Sequence, residues 1–206
     1  MSLDPLTLTP VERYRLLINS IVPRPIAWIT SLSAAGVLNL APFSFFNGVT
    51  ANPPVVQVCI AHRQPEKDTL ANIRATGEAV IHLVRGECLD AMHASSAEYP
   101  AEISEAEALN LAHRPAERVR GRVLLQADIA FECRLIQLIP VGEPATHLCL
   151  FEVLLAHVAS AVALPDGLPD PQRLRAVARL GGNSYLLPDT WHLGERERTR
   201  RPRTTG

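Results

Sequence analysis

Two long apolar runs, VLLQADIAFECRLIQLI (Val123 to Ile139) and HLCLFEVLLAHVASAVAL (His147 to Leu164), are separated only by the link PVGEPAT. That spacing constrains the fold more than any other feature of the chain. A parallel pair of strands needs a crossover of about a dozen residues or more, whereas a short link with Pro and Gly suits a tight reversal. The two runs therefore predict an antiparallel hairpin.

Shorter β-rich runs precede it: IAWITSL from Ile26, LNLAPFSFF beyond Gly36, VVQVCIA after Pro53 and Pro54, and AVIHLV. Helical signals interrupt these runs instead of alternating with them. Thr9, Pro10 and Glu12 make a capping-box start for a helix that must stop before IVPRP. Thr69 to Ala75 predicts a second, ending at Gly77; Ser104 with Glu107 starts a third through EAEALNL; Asp170 and Pro171 start a fourth running to Gly181. Strands joined by short turns with helices grouped apart predict a mainly β fold, a closed or partly closed antiparallel barrel with peripheral helices.

With 206 residues, one domain over residues 1–195 is expected, followed by a basic flexible tail, 196–206. Hydrophobic content of 47% and a formal net charge of -1 place the chain among ordinary globular proteins and give no general pull toward nucleic acid. No apolar run reaches the roughly 18 residues of a membrane span, and MSLDPLTLTPVERY lacks the pattern of a signal peptide, so a cytoplasmic location is expected. Cys59, Cys88, Cys133 and Cys149 are widely scattered. Free buried thiols are the expectation, with neither disulfide nor metal site, because zinc ligands come in closely spaced pairs.

The chain has no GxGxxG after a strand and no GxxxxGK[ST], so a nucleotide would have to be held another way. In HRQPEKDTLANI, Lys67 supplies a charge, Thr69 a hydroxyl, and the helix start offers free N–H groups and the positive end of its dipole. The competing reading is that Lys67 and Asp68 merely solvate and cap a helix. Along Ile26 to Leu32 the alternation puts Ile26, Trp28 and Thr30 on one face and Ala27, Ile29 and Ser31 on the other. Thr30, Ser31 and Asn39 are candidates for the polar edge of a flat heterocycle, with small Ala41 and Ser44 letting its plane approach the backbone and Pro42 fixing the chain locally; a turn with polar ends explains them equally well. His82 and His157 read as packed imidazoles, and acids such as those of SEAEA as solvated helix positions. No catalytic side chain is assigned.

Three of the five phenylalanines fall in APFSFFNGVTANPP, interleaved with Ser44, Asn47 and Thr50. A core explains the rings but not the polar residues between them. Taken with RPIAWITSLSAAGVLNL before it, then KDTLANI, TGEAVIHLV, AFECRLIQL, FEVLLAHV and RLGGNSY in that order, the chain from Pro23 to Tyr185 resembles the flavin reductase-like family, FMN-binding split barrels that include flavoredoxin.

The resemblance implies an FMN-binding split β-barrel of Greek-key type, a homodimer, and one FMN per subunit near the dimer interface. It places Thr30, Ser31, Asn39, Ala41, Pro42, Ser44, Asn47 and Thr50 in the flavin-facing block, Lys67 and Thr69 in the phosphate-facing block, and Tyr185 over the site. His93 departs from the family, whose members often carry Asn there. The implied activity is an FMN oxidoreductase, an NAD(P)H-dependent flavin reductase with NADH or NADPH as co-substrate and a further electron acceptor. The alternative is an FMN-binding electron-transfer protein without nicotinamide turnover; a third class is a split barrel oxidising pyridoxine-type vitamers or working without cofactor.

Overall fold

The computed structural model describes residues 2–190. The basic tail expected at 196–206 lies outside the described residues. Helix α1 (Pro10–Ser20) starts on the expected capping box: Thr9 Oγ1 accepts from the Glu12 N–H, and the Glu12 carboxylate accepts from the Thr9 N–H at 2.8 Å. Strands β1 (Arg24–Pro25), β2 (Ala27–Leu32), β3 (Leu38–Phe43), β4 (Phe46–Ala51) and β5 (Pro54–Ile60) follow. Helix α2 (Asp68–Thr76) ends where Gly77 adopts φ +70°, a left-handed C-cap that costs a glycine little.

Beyond it come β6 (Glu78–Leu83), the helices α3 (Leu89–Ala94) and α4 (Glu105–Ala108), and the small hairpin β7 (His113–Pro115) and β8 (Arg122–Leu124). The long hairpin is β9 (Ile129–Val141) with β10 (Thr146–Val158), antiparallel as its link requires. A short α5 (Pro171–Leu174) and the strands β11 (Ala178–Arg179) and β12 (Tyr185–Leu186) complete the order.

Seven strands form one antiparallel sheet in the order β3-β2-β6-β9-β10-β5-β4. The two edge strands, β3 and β4, are separated in the chain only by Ser44 and Phe45. Opposite edges tied by two residues must meet, so the sheet curls into a barrel. The Phe45 carbonyl accepts from the Cys59 N–H at 2.8 Å and holds the corner against β5. The connection from β5 to β6 passes from one side of the long hairpin to the other, a Greek-key crossing that carries α2. Pro53 and Pro54 sit at the turn between edge strand β4 and β5, where a missing N–H costs no ladder bond.

Alternation divides β2 between two cores. Ala27 and Ile29 point into the barrel with Phe43, Phe46, Val58, Ile60, Ile81, Phe151 and, from α2, Leu70 and Ile73. Ile26, Trp28 and Leu32 point outward into a second core with Leu40, Met92, Ala106 and Leu124 beneath α3 and α4. Each fully buried large apolar side chain is worth about 1.5–3 kcal/mol. Trp28 keeps its indole N–H satisfied by donating to Ser95 Oγ at 2.9 Å. All four cysteines are free, three of them buried, because they serve as small core residues.

Several expectations change. The third helix ends at Ala108 instead of running through Leu111, and LNLAPFSFF breaks at Ser44 and Phe45 between β3 and β4. The run from Val123 is not one strand: it breaks after Leu124, because β8 pairs with β7 and Leu125 N–H bonds to the Ala112 carbonyl. The run to Leu164 stops as a strand at Val158. The fourth helix ends at Leu174 instead of reaching Gly181, since Val177 N–H bonds to the Val84 carbonyl and β11 pairs with β1. Sheet pairing from distant strands outcompetes helix continuation there. The loop between β7 and β8 is strapped down by Glu132, a fully buried carboxylate that accepts from the Glu117 N–H at 2.9 Å and from His157 Nε2 at 2.7 Å. Burial pushes the Glu132 carboxyl up, but these donors outweigh it and hold the group below the usual range.

His82 is the buried hinge between the two cores. Its Nε2 accepts from the Leu124 N–H at 3.0 Å, so Nδ1 carries the proton and donates to the Trp28 carbonyl at 2.9 Å. The ring is neutral, and burial pulls its pKa down to about 4. The unfolded chain takes up this proton below about pH 6.5 while the folded chain does not. Its contribution is therefore intact above that value and is lost as pH falls toward 4. Urea unfolding of wild type across this window is expected to lose up to about 1.4 kcal/mol per pH unit more than a His82→Gln variant does; parallel slopes would refute the assignment.

Candidate functional site

The end of β3, the loop before α2, the start of α2 and the segment from Ser95 to Tyr99 enclose a cleft of about 130 Å³. Its position follows from a buried amide. Asn39 on β3 donates from Nδ2 to Thr69 Oγ1 at 2.8 Å and lies 3.4 Å from Ser31 Oγ on β2. From α2, Asn72 Nδ2 donates to the same Ser31 hydroxyl at 3.1 Å. All four side chains are buried, so every polar group needs a partner inside, and the set fastens the first turn of α2 to the barrel. Beside it, Glu105 accepts from the Leu40 N–H at 2.8 Å and pins α4 to β3.

Lys67 stands at the N-cap position of α2 but makes no cap bond, and no side chain caps that helix start. The Lys67 side chain therefore takes no part in capping, while Asp68 stands as an acid in the first turn, as the competing reading expects. Its ammonium lies 5.6 Å from the centre of the Phe43 ring and forms no ion pair among the described residues. Burial lowers its pKa, the charge of Arg63 lowers it further, and Glu98 opposes both. At the rim Arg63 pairs with the exposed Glu98 at 3.0 Å, a contact of the kind worth about 0–1 kcal/mol. A half-buried cation above an uncapped helix start is a place for an anion. Acids are present too: Asp68 and Glu105 line the same cleft, and burial, opposed by the Leu40 N–H, pushes the Glu105 carboxyl up toward its neutral form.

Of the residues singled out in the sequence, Asn39, Ala41, Pro42, Lys67 and Thr69 line this one cleft. Ser31 lies beneath it as a hydroxyl acceptor for two amides. Thr30 is turned the other way and donates to the Arg122 carbonyl at 2.6 Å, as the alternation of β2 demands. Ser44 lines a neighbouring cavity. Asn47 and Thr50 are exposed on edge strand β4, and Thr50 borders an apolar groove with Val153 and Leu155. Tyr185 packs away from the cleft: its hydroxyl bonds to His93 Nδ1 at 2.8 Å and accepts from Arg179, whose guanidinium stacks 4.6 Å from the ring centre.

Glu105 reverses the sequence reading of SEAEA as solvated, because the Leu40 N–H on β3 needs an acceptor. Arg24, His93, Ser96 and Arg179 gather near the cleft without a local signal in the sequence that links them.

Residues 19–170 match the model of the Flavin reductase like domain. The chain belongs to the flavin reductase-like family. An uncharacterised protein of Halalkalibacterium halodurans is 41% identical over 192 residues, 90% of this chain and 91% of that one. Nitrilotriacetate monooxygenase component B from Bacillus cereus superposes with a TM-score of 0.88 at 35% identity, covering 94% of this chain and 98% of that one. A Shewanella frigidimarina flavin reductase with a split barrel domain superposes with a TM-score of 0.83 at 22% identity, over 96% of this chain and all of that one (100%), and supports the fold alone. The architecture is accordingly a mainly β split barrel of Greek-key type with peripheral helices.

Thr69→Val tests the fastening directly. Losing the hydroxyl leaves Asn39 Nδ2 only its longer contact to Ser31 Oγ and is expected to cost about 1–3 kcal/mol in urea unfolding, while Thr69→Ser stays near wild type. Equal stability of Thr69→Val and wild type would contradict the network.

Proposed function

We propose that this protein is an FMN-dependent oxidoreductase that draws electrons from NADH or NADPH and delivers them to a further acceptor. One observation carries the reading: Lys67, Thr69 and the uncapped start of α2 converge with Asn39, Ala41 and Pro42 on a single cleft. Family membership and the likeness to a monooxygenase component support it.

The residues present fit a phosphate ester. Lys67 has no protein counterion among the described residues, and the α2 start has N–H groups without a side-chain cap. Bound FMN supplies hydride acceptance and stepwise electron release, chemistry that belongs to the cofactor. What the chain supplies is placement. Lys67 and the helix dipole offset the phosphate charge, Asn39 holds the helix start at a fixed distance from β3, and Phe43 and Pro42 exclude water from one wall. Ser31 belongs to the same reading as the acceptor that orients both amides.

The reading includes a homodimer in a cytoplasmic setting. A groove of about 530 Å³ is walled by Val55, Val56, Phe131, Val153 and Leu155 and bordered by Gly48 and Thr50 of edge strand β4. An apolar surface of this kind suits a second copy. Asn47 and Thr50, which do not reach this subunit's cleft, are assigned to that interface. No helix among the described residues is long and apolar enough to cross a membrane.

Lys67→Ala is expected to raise the Kd for FMN about 10- to 100-fold, the loss of one charge-assisted bond, with little change in Tm. Unchanged affinity would remove Lys67 from the site. Anaerobic mixing of the FMN-loaded protein with NADH or NADPH is expected to bleach the flavin band near about 450 nm; failure to bleach with either would leave an electron carrier.

A further inference from the structure

We propose that Glu105 holds a proton for the phosphate grip: as an anion enters the cleft, Glu105 takes one proton from solvent onto Oε1 and, as a neutral carboxylic acid, donates a hydrogen bond to that anion. This deepens the flavin reading, on which the identity of the anion rests. The proton uptake follows from the charges of the cleft itself.

Two cations, Arg63 and Lys67, and three acids, Asp68, Glu98 and Glu105, line the cleft with Tyr99, so with every acid and cation ionised it carries one negative charge in excess. A phosphate monoester adds about −1.5 to −2 more at pH 7. One acid has to lose its charge, and the surroundings single it out. Glu98 is exposed and paired with Arg63 at 3.0 Å. Asp68 stands in the first turn of α2, where the helix dipole favours a carboxylate. Glu105 is 7% exposed and forms no ion pair among the described residues. Burial pushes its carboxyl up, the Leu40 N–H opposes, and the charge of Asp68 adds to the rise. Strand β3, against which α4 packs, brings no titratable side chain, and the other acid of α4, Glu107, is exposed.

Pinning β3 accounts for one oxygen only. Oε2 accepts from the Leu40 N–H at 2.8 Å, which a neutral acid or an amide would do as well. Oε1 bonds to no other described residue, yet it is not sealed away as Arg24 Nε and His147 Nδ1 are, the two buried side-chain atoms among the described residues that lack a partner. It therefore borders open space, and the open space beside Glu105 is the cleft. A proton added to this carboxyl belongs on Oε1, since Oε2 is occupied as an acceptor. There it turns a repelling group into a donor, and an O–H bond to an ionised oxygen is among the stronger hydrogen bonds. Because a bound anion raises the pKa of Glu105 above its value in the free chain, anion affinity is full below the free value and falls, by about 10-fold per pH unit at most, as pH rises between the two.

The test is fluorescence titration of the full chain with FMN and with riboflavin from about pH 5 to 9, on wild type and on Glu105→Gln, whose amide oxygen still accepts from Leu40. Titration of the FMN phosphate and of Lys67 is common to both chains and cancels in their ratio. The FMN affinity of wild type relative to the variant is expected to fall about 10-fold as pH rises, while the riboflavin ratio stays constant. A constant FMN ratio, or the same change with riboflavin, would overturn the proposal. If Glu105→Gln does not fold, calorimetry of the wild type with sulfate, whose charge is fixed, decides at about pH 7 in two buffers of unequal ionisation enthalpy. Uptake of a proton supports the role, and release or no exchange overturns it. Failure of the flavin reading looks different: a chain that binds sulfate with its proton but takes up no FMN keeps Glu105 in this role and loses the flavin, whereas binding of neither anion overturns both.

Discussion

The hydrogen bond from Asn39 Nδ2 to Thr69 Oγ1 joins the two parts of the chain on which the proposed function depends. One partner is on β3, an edge of the sheet; the other is in the first turn of α2, 30 positions further along the chain. With Ser31 and Asn72 completing the set, both amide nitrogens of the junction find hydroxyl acceptors, and the low dielectric around them strengthens these bonds. Because the helix start cannot move relative to the strand, Lys67 and the open N–H groups face Ala41 and Pro42 across a fixed gap. An anion site and an apolar wall are thereby held at one spacing.

The barrel explains why β3 is free to do this. Two residues join β3 to β4 at opposite edges of the sheet, so the closing corner carries Ser44 and Phe45, while Phe43 and Phe46 on either side fill the interior. The aromatic rings of APFSFF thus serve closure, and the polar residues between and beyond them are distributed among three surfaces: Asn39 to the cleft, Ser44 to the neighbouring cavity, Asn47 and Thr50 to the exposed edge strand. A single short segment builds the core and two adjoining cavities at once.

Much of this was legible from local rules. The capping box at Thr9 and Glu12, the glycine stop at Gly77, the reversal between the long strands and the two-sided alternation of β2 all follow from interactions within a few residues or from strand periodicity. What was not legible depended on backbone groups far away in the chain. Thr30 and Ser31 alternate as the pattern demands, yet only the Arg122 carbonyl, brought by β8, decides that Thr30 is spent in the core. Glu105 is buried for the Leu40 N–H, Arg24 for the carbonyls of Ile18, Ile21 and Leu180, and the last helix is cut short by Val84 and β1. A backbone partner carries no side-chain signature, so these roles leave no trace in composition or spacing.

The central claim is that the junction of β3 and α2 grips the phosphate end of a flavin. Comparing FMN with riboflavin in fluorescence titrations of the wild-type chain measures that grip alone, since the two ligands share the ring and the ribityl chain. The account predicts that FMN binds at least about 10-fold more tightly, a difference of about 1.4 kcal/mol, and that the gap narrows as salt screens the charge. Equal affinities, or no binding of either, would contradict it.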